Sequence, residues 1–260
     1  MKTIWLLATV FLLVIGLTMA EVHAQPTAAS EAQRFKQKVT NNPSGIDSSF
    51  FASFGRSATP DEVIQWKKSD VTVGDLIKHL HGVLKSALGA DELHQTLVRS
   101  YTTSFGRGPT PEELASGTQE AKVKGYGFTE LLAAQHGWLK TPEADAERKG
   151  LVFRNFFEAY GRLPTVSESN GYRDEIEKLG MNYSDLLAWN MDRMLLPASF
   201  IVAGEKHEAL GNELHDMIKR AFLTAGKGQP TEAQYKDWTV KVKDQKLTFK
   251  QVTAILEKSK

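Results

Sequence analysis

One short pattern returns along the chain, and a sequence that repeats itself at intervals of about fifty residues is confined to architectures that stack one supersecondary unit on the next. It reads Phe54-Gly55-Arg56-Ser57-Ala58-Thr59-Pro60-Asp61-Glu62, then Phe105-Gly106-Arg107-Gly108-Pro109-Thr110-Pro111-Glu112-Glu113, then Tyr160-Gly161-Arg162-Leu163-Pro164-Thr165-Val166-Ser167-Glu168. A fourth copy with one inserted residue runs Ala225-Gly226-Lys227-Gly228-Gln229-Pro230-Thr231-Glu232-Ala233-Gln234. The intervals between the glycines lengthen from Gly55 to Gly226, which places growing insertions in loops, where specificity is commonly carried.

The columns have a common physical meaning. Upstream of the glycine, Leu97, Val98, Tyr101 and Phe105, or Val152, Phe153, Phe156, Phe157 and Tyr160, are spaced as one apolar helical face. Met217, Ile218 and Phe222 repeat it in the fourth copy. The glycine falls where a helix must end in a left-handed residue, and the cation after it suits a helix C-terminus. Thr59, Thr110, Thr165 and Thr231 are followed three residues later by Glu62, Glu113, Glu168 and Gln234, the signature of a reciprocal capping box that opens a second helix. Thr72 with Asp75, Gly127 with Glu130, Asn182 with Asp185 and Thr248 with Gln251 announce a third, each followed by an apolar run. No stretch alternates apolar and polar residues long enough to form a sheet, so the predicted fold is all-α, with four units of about three helices at 46–90, 91–145, 146–203 and 204–260.

Ahead of these units, Met1-Lys2 and an uncharged run from Ile4 to Ala20, closed by Val22-His23-Ala24, read as a secretory signal over 1–24. The run is long enough that an uncleaved anchor is the alternative. Residues 25–45, rich in Ala, Ser, Gln and Asn, read as a flexible lead-in. The chain is thus expected outside the cytoplasm, in the periplasm or at the cell surface. Separation from the ATP and NAD pools, together with the lack of a phosphate-cradling glycine motif, gives no cofactor to expect. With no cysteine, disulfides, thiolate nucleophiles and a lipidated cysteine are excluded. Lys and Arg number 32 against 31 Asp and Glu, so no overall charge directs the protein to nucleic acid or to an anionic membrane.

These residues resemble a bacterial domain of unknown function that recurs in secreted and surface proteins and is distantly similar to the helical linker domain of phycobilisomes. The shared features are an aromatic five residues before the glycine (Phe50, Tyr101, Phe156), the Gly-Arg turn, a helix cap, and an aromatic seven residues after the cap (Trp66, Tyr172, Trp238). The chain departs from that pattern in having Thr in place of Asp at every cap and Gly117 in the second aromatic position. The resemblance implies an adaptor or surface-binding role and carries no catalytic residues across.

Arg56, Arg107, Arg162 and Lys227 form a column of one sign, the candidate ridge for an acidic partner protein or an anionic cell-surface polysaccharide. The competing role for each is to cap a helix and pair with a nearby carboxylate. Trp66, Tyr172 and Trp238, and likewise Trp138 and Trp189, read as core rather than as a sugar-stacking platform. His79 and His81, or His207 and His215, lack the spacing that puts two imidazoles on one helical face, so no metal is expected. No serine lies in a Gly-x-Ser-x-Gly elbow. The expected function is therefore partner binding by a non-enzymatic exported repeat protein, with an envelope hydrolase holding its site between repeats as the alternative and homotypic assembly as a third reading. A catalytic site would show itself as one copy in which polar residues replace the apolar columns, and the fourth, with Ala221 and Ala225 at aromatic positions, diverges most.

Overall fold

A computed structural model describes residues 35–41, 43–195 and 208–259. The signal at 1–24, the first part of the lead-in, the stretch 196–207 and His207 with it lie outside the described residues. Within them are twelve α-helices and no strand: α1 (Pro43–Phe54), α2 (Pro60–Lys67), α3 (Val73–Lys85), α4 (Ala90–Phe105), α5 (Pro111–Lys124), α6 (Phe128–Leu139), α7 (Asp145–Tyr160), α8 (Val166–Leu179), α9 (Tyr183–Leu195), α10 (Glu208–Thr224), α11 (Glu232–Gln245) and α12 (Phe249–Lys258).

Local chemistry accounts for most of the boundaries. Thr110 accepts from the Glu113 amide at 3.2 Å while the Glu113 carboxylate accepts from the Thr110 amide at 2.7 Å, so two of the orphan donors that open α5 are satisfied. The same reciprocal box opens α2 at Thr59, α8 at Thr165, α11 at Thr231 and α12 at Thr248. Thr72 with Asp75 and Asn182 with Asp185 do this for α3 and α9. At Gly127, which has no side chain to offer, only the Glu130 carboxylate half of the box is made. The helices before each Gly-Arg turn stop in a left-handed residue, with φ of +70°, +68°, +69° and +70° at Gly55, Gly106, Gly161 and Gly226.

The chain divides into two compact units, the first reaching Phe51 and resuming at Arg56–Leu80, the second made of Ala52–Gly55 and His81 onward. In the first, the lead-in does not behave as flexible chain through to residue 45. Val39 is fully buried, its amide donates to the Val71 carbonyl, and the Val73 amide donates to Gln37. Phe35 lies against Gly74, so two apolar residues and two backbone hydrogen bonds tie this otherwise polar stretch to the start of α3.

In the second unit the first helix of each copy of the pattern packs on its own second and third helices: α4 on α5 and α6, α7 on α8 and α9, α10 on α11 and α12. It also takes the third helix of the following copy, α9 against α4 and α12 against α7. The contact centres on an aromatic ring laid over the turn glycine. A Cβ built on Gly55, Gly106 or Gly161 would come within 2.5, 2.3 and 2.4 Å of the rings of Phe128, Tyr183 and Phe249, the first residues of α6, α9 and α12. A Cβ on Gly226 meets nothing within 4 Å. Around these joints Leu139, Leu151, Val152, Phe156, Ile176 and Leu186 belong to one continuous core with Met217, Ile218 and Val252.

Candidate functional site: a ring-lined cavity beside the second Gly-Arg turn

The guanidiniums of the arginine column are engaged from within the chain. Arg107 donates to both oxygens of Glu113 at 2.7 and 2.8 Å, and its Nη2 also reaches Glu147 Oε2 at 2.7 Å. Glu147 takes a second guanidinium from Arg154, whose Nε donates to the Phe105 carbonyl at 2.8 Å. The next turn is built from the same parts: Arg162 holds Glu168 at 2.8 Å and Glu213 at 3.0 Å, Glu213 pairs with Arg220, and Arg220 Nε donates to the Tyr160 carbonyl at 2.8 Å. Arg56 grips Glu62 at 2.8 and 2.9 Å, and Arg99, paired with Glu92, donates to the Phe54 carbonyl. Lys227 differs from its counterparts: it is exposed and donates to the Ser259 carbonyl. Hydrogen bonds from Arg107 hold the Glu113 carboxyl below the usual carboxylate range against the opposing effect of burial. The same pairing, from Glu113 and Glu147, raises Arg107 above the ordinary guanidinium value.

Each arginine thus meets a carboxylate of its own chain, and the carbonyls at the helix ends are satisfied by Arg99, Arg154 and Arg220, which the sequence reading did not single out. The signal for them was present as Glu92/Arg99, Glu147/Arg154 and Glu213/Arg220, an acid and a base two helical turns apart on one face. Of the histidines, His79 lies edge-on to Trp66 at 5.1 Å and His215 stacks on Tyr235 at 4.0 Å. His81 is half-buried, and burial lowers its pKa. Among the described residues no three His, Asp or Glu side chains gather closely enough to hold a metal.

The departure of site character falls at Gly117 rather than in the fourth copy. There a one-residue shift in α10 puts Phe222 in the position of Phe50, Tyr101 and Phe156, buried and edge-on to Trp238 at 6.1 Å, so that column is filled despite Ala221, while Ala225 puts no ring in the position of Phe54, Phe105 and Tyr160. Beside Gly117, by contrast, lies a cavity of about 420 Å³. Its apolar wall is made by Leu97, Tyr101, Phe105, Leu131 and Trp138, with Phe105 and Trp138 edge-on at 5.8 Å. Trp138, read from the sequence as core, is 40% exposed at its margin. Burial, followed by the neighbouring Glu113, pushes the Tyr101 phenol up to about 12.

The polar side chains of the wall are engaged in pairs. Glu113 holds Arg107, Glu120 holds Lys124 at 2.6 Å, and Gln135 is fixed between two serines, accepting from Ser104 Oγ at 2.7 Å and meeting Ser100 Oγ at 3.1 Å. Arg107 itself stands behind the rings, 5.7 Å from the centre of Tyr101 and 5.5 Å from that of Phe105. Such a wall can desolvate and orient a flat apolar group. No protein-family model, curated protein or solved structure matches this chain.

Proposed function

We propose that the chain is an exported, non-enzymatic binding protein, built from four three-helix units at 46–90, 91–145, 146–203 and 204–260 behind its signal, and that it engages a partner protein or cell-surface polymer of the envelope. The recurring Gly-Arg turns and their caps support the repeat reading, and the resemblance to surface-protein domains agrees with it. The observation that carries the binding function is the cavity at Gly117, a large apolar recess where Gly117 and Ala134 stand in the places of Tyr172 and Trp189. Its carboxylates are committed to ion pairs and its amide to hydroxyls, the arrangement of a recognition site.

The test is saturable retention of envelope material by the mature chain beginning at Gln25. A component retained saturably and recovered chemically unaltered is the expected result. Absence of saturable retention, or recovery of the component in cleaved form, overturns the reading in favour of an envelope hydrolase. Retention is expected to persist when Arg56, Arg107 and Arg162 are replaced by Ala in a variant shown to remain folded, since their guanidiniums face Glu62, Glu113 and Glu168. Loss of retention in that folded variant would return the site to the arginine column.

A further inference from the structure

We propose that the cavity beside Gly117 binds a neutral hydroxylated aromatic ring, a phenol, in the place that Tyr172 fills one copy later; this deepens the binding function above and rests on it. The two places correspond residue for residue at a constant offset. Tyr101 matches Phe156, Gly117 matches Tyr172, Ala134 matches Trp189, Gln135 matches Asn190 and Ser100 matches Asn155. In the later copy the Tyr172 ring stands edge-on to Phe156 at 5.0 Å and to Trp189 at 5.3 Å, and its hydroxyl donates to Asn190 Oδ1 at 2.7 Å. Asn190 is held in turn by Asn155 at 2.8 Å.

In the earlier copy both rings are gone while the acceptor that served the hydroxyl is retained. Gln135 is held by Ser100 as Asn190 is by Asn155, and its carbonyl oxygen, which accepts from Ser104, has a second lone pair to offer. Trp138 replaces Arg193, whose guanidinium approaches the Tyr172 hydroxyl at 3.3 Å, so the cavity has a ring where its counterpart has a cation. No cation lines the recess, whereas Glu113 and Glu120 do. A carboxylated ring would lose its hydration there without gaining a counter-ion. A ring bearing a hydroxyl meets both the aromatic wall and the waiting acceptor.

The probe is p-cresol, titrated calorimetrically into the full mature chain. The expected Kd is about 10 µM to 1 mM, the range open to so small a ligand. Toluene, lacking the donor, should bind roughly tenfold more weakly, as the loss of one hydrogen bond dictates, and 4-hydroxybenzoate should also bind more weakly than p-cresol. Gly117→Tyr restores the missing ring. A Cβ there meets only the end of the Leu97 side chain, at 3.0 Å, so the variant should fold, melt at a higher temperature and lose p-cresol binding. In Gln135→Met the preference for p-cresol over toluene should collapse. N-acetyltyrosinamide separates the sources of the ring: if it binds too, the ring is a tyrosine side chain of a partner, and if p-cresol alone binds, the ring is a free phenol. The proposal is overturned if p-cresol does not bind the wild-type chain, if toluene binds as well, or if Gly117→Tyr leaves binding unchanged. Saturable envelope retention in those cases would leave the binding function standing without this ligand.

Discussion

Replacing Gly106 by Ala imposes two separate penalties, and Gly226 allows them to be measured apart. Both glycines end a helix with nearly the same dihedral, φ +68° and +70°. An L-residue in that left-handed region costs about 1–2 kcal/mol, a loss common to the two sites. Only at Gly106 does the new methyl collide with a ring, at 2.3 Å from Tyr183 Cδ2, and Tyr183 opens a helix and cannot withdraw without moving α9 off α4. Overpacking of this kind adds about 1–3 kcal/mol. Gly106→Ala is therefore expected to lose about 2–5 kcal/mol and Gly226→Ala about 1–2 kcal/mol. The assay is urea unfolding, comparing midpoints at unchanged slope. A double-mutant cycle completes it: with Tyr183→Ala in the background, Gly106→Ala should cost no more than Gly226→Ala does in the wild type. Equal losses at the two glycines, or strict additivity in the cycle, would refute the claim that ring-on-glycine contact forms the joint between α4 and α9.

The Arg-Glu-Arg clasp makes a second expectation. Glu147→Gln removes the carboxylate shared by Arg107 and Arg154 and should destabilise by about 1–3 kcal/mol, whereas Glu120→Gln, which breaks the exposed pair with Lys124, should cost less than about 0.5 kcal/mol; thermal melts of the two variants decide it. Acid should act through the capping carboxylates. Those of Glu62 and Glu113 are lowered chiefly by their arginines; at Glu168 burial is the largest single influence and acts upward, but Arg162 and the Thr165 cap together outweigh it and lower the value. Because a depressed native value means that the unfolded chain takes up protons first, their contribution is fully present above about pH 4.5 and disappears as the pH falls through the native values. Melting temperature is thus expected to fall between pH 6 and pH 3, with a shallower acid limb when all three are Gln. An equally steep limb in that variant would assign the acid sensitivity to other groups.

Helix boundaries were legible because the forces that set them act within four residues. Thr110 and Glu113 satisfy each other's amides whatever the rest of the chain does, and Gly106 supplies a dihedral that its neighbours cannot easily adopt. The role of the arginines was only half legible for the opposite reason. Pairing of Arg107 with Glu113 is local, but Glu147 and the Arg154-to-Phe105 bond join residues 40 and 49 positions apart, and nothing in a linear reading brings them together. The cavity was visible as a single gap, Gly117, in the column of Trp66, Tyr172 and Trp238. Its other cause, Ala134 in the place of Trp189, was not, because that correspondence emerges only once Tyr172 and Trp189 are seen edge to edge. The fourth copy misled for a related reason. Phe222 stands four residues before its glycine, where Phe50, Tyr101 and Phe156 stand five before theirs, and takes the role that a fixed register assigns to Ala221, because side-chain position follows helical phase rather than count.

The joints at Gly106 and Gly161 bear on how such a chain can grow. The segment from Arg107 through Gly161 carries Phe128, the ring for the seam at Gly55, and Gly161, the glycine for the seam with Phe249. Duplicating that segment would supply a ring for one seam and a glycine for another together. The losses at Gly117 and Ala134 lie between seams and leave Gly106, Tyr183 and Glu147 untouched. The ring-lined recess draws Gly117, Leu131, Ala134, Gln135 and Trp138 from the interior of that segment.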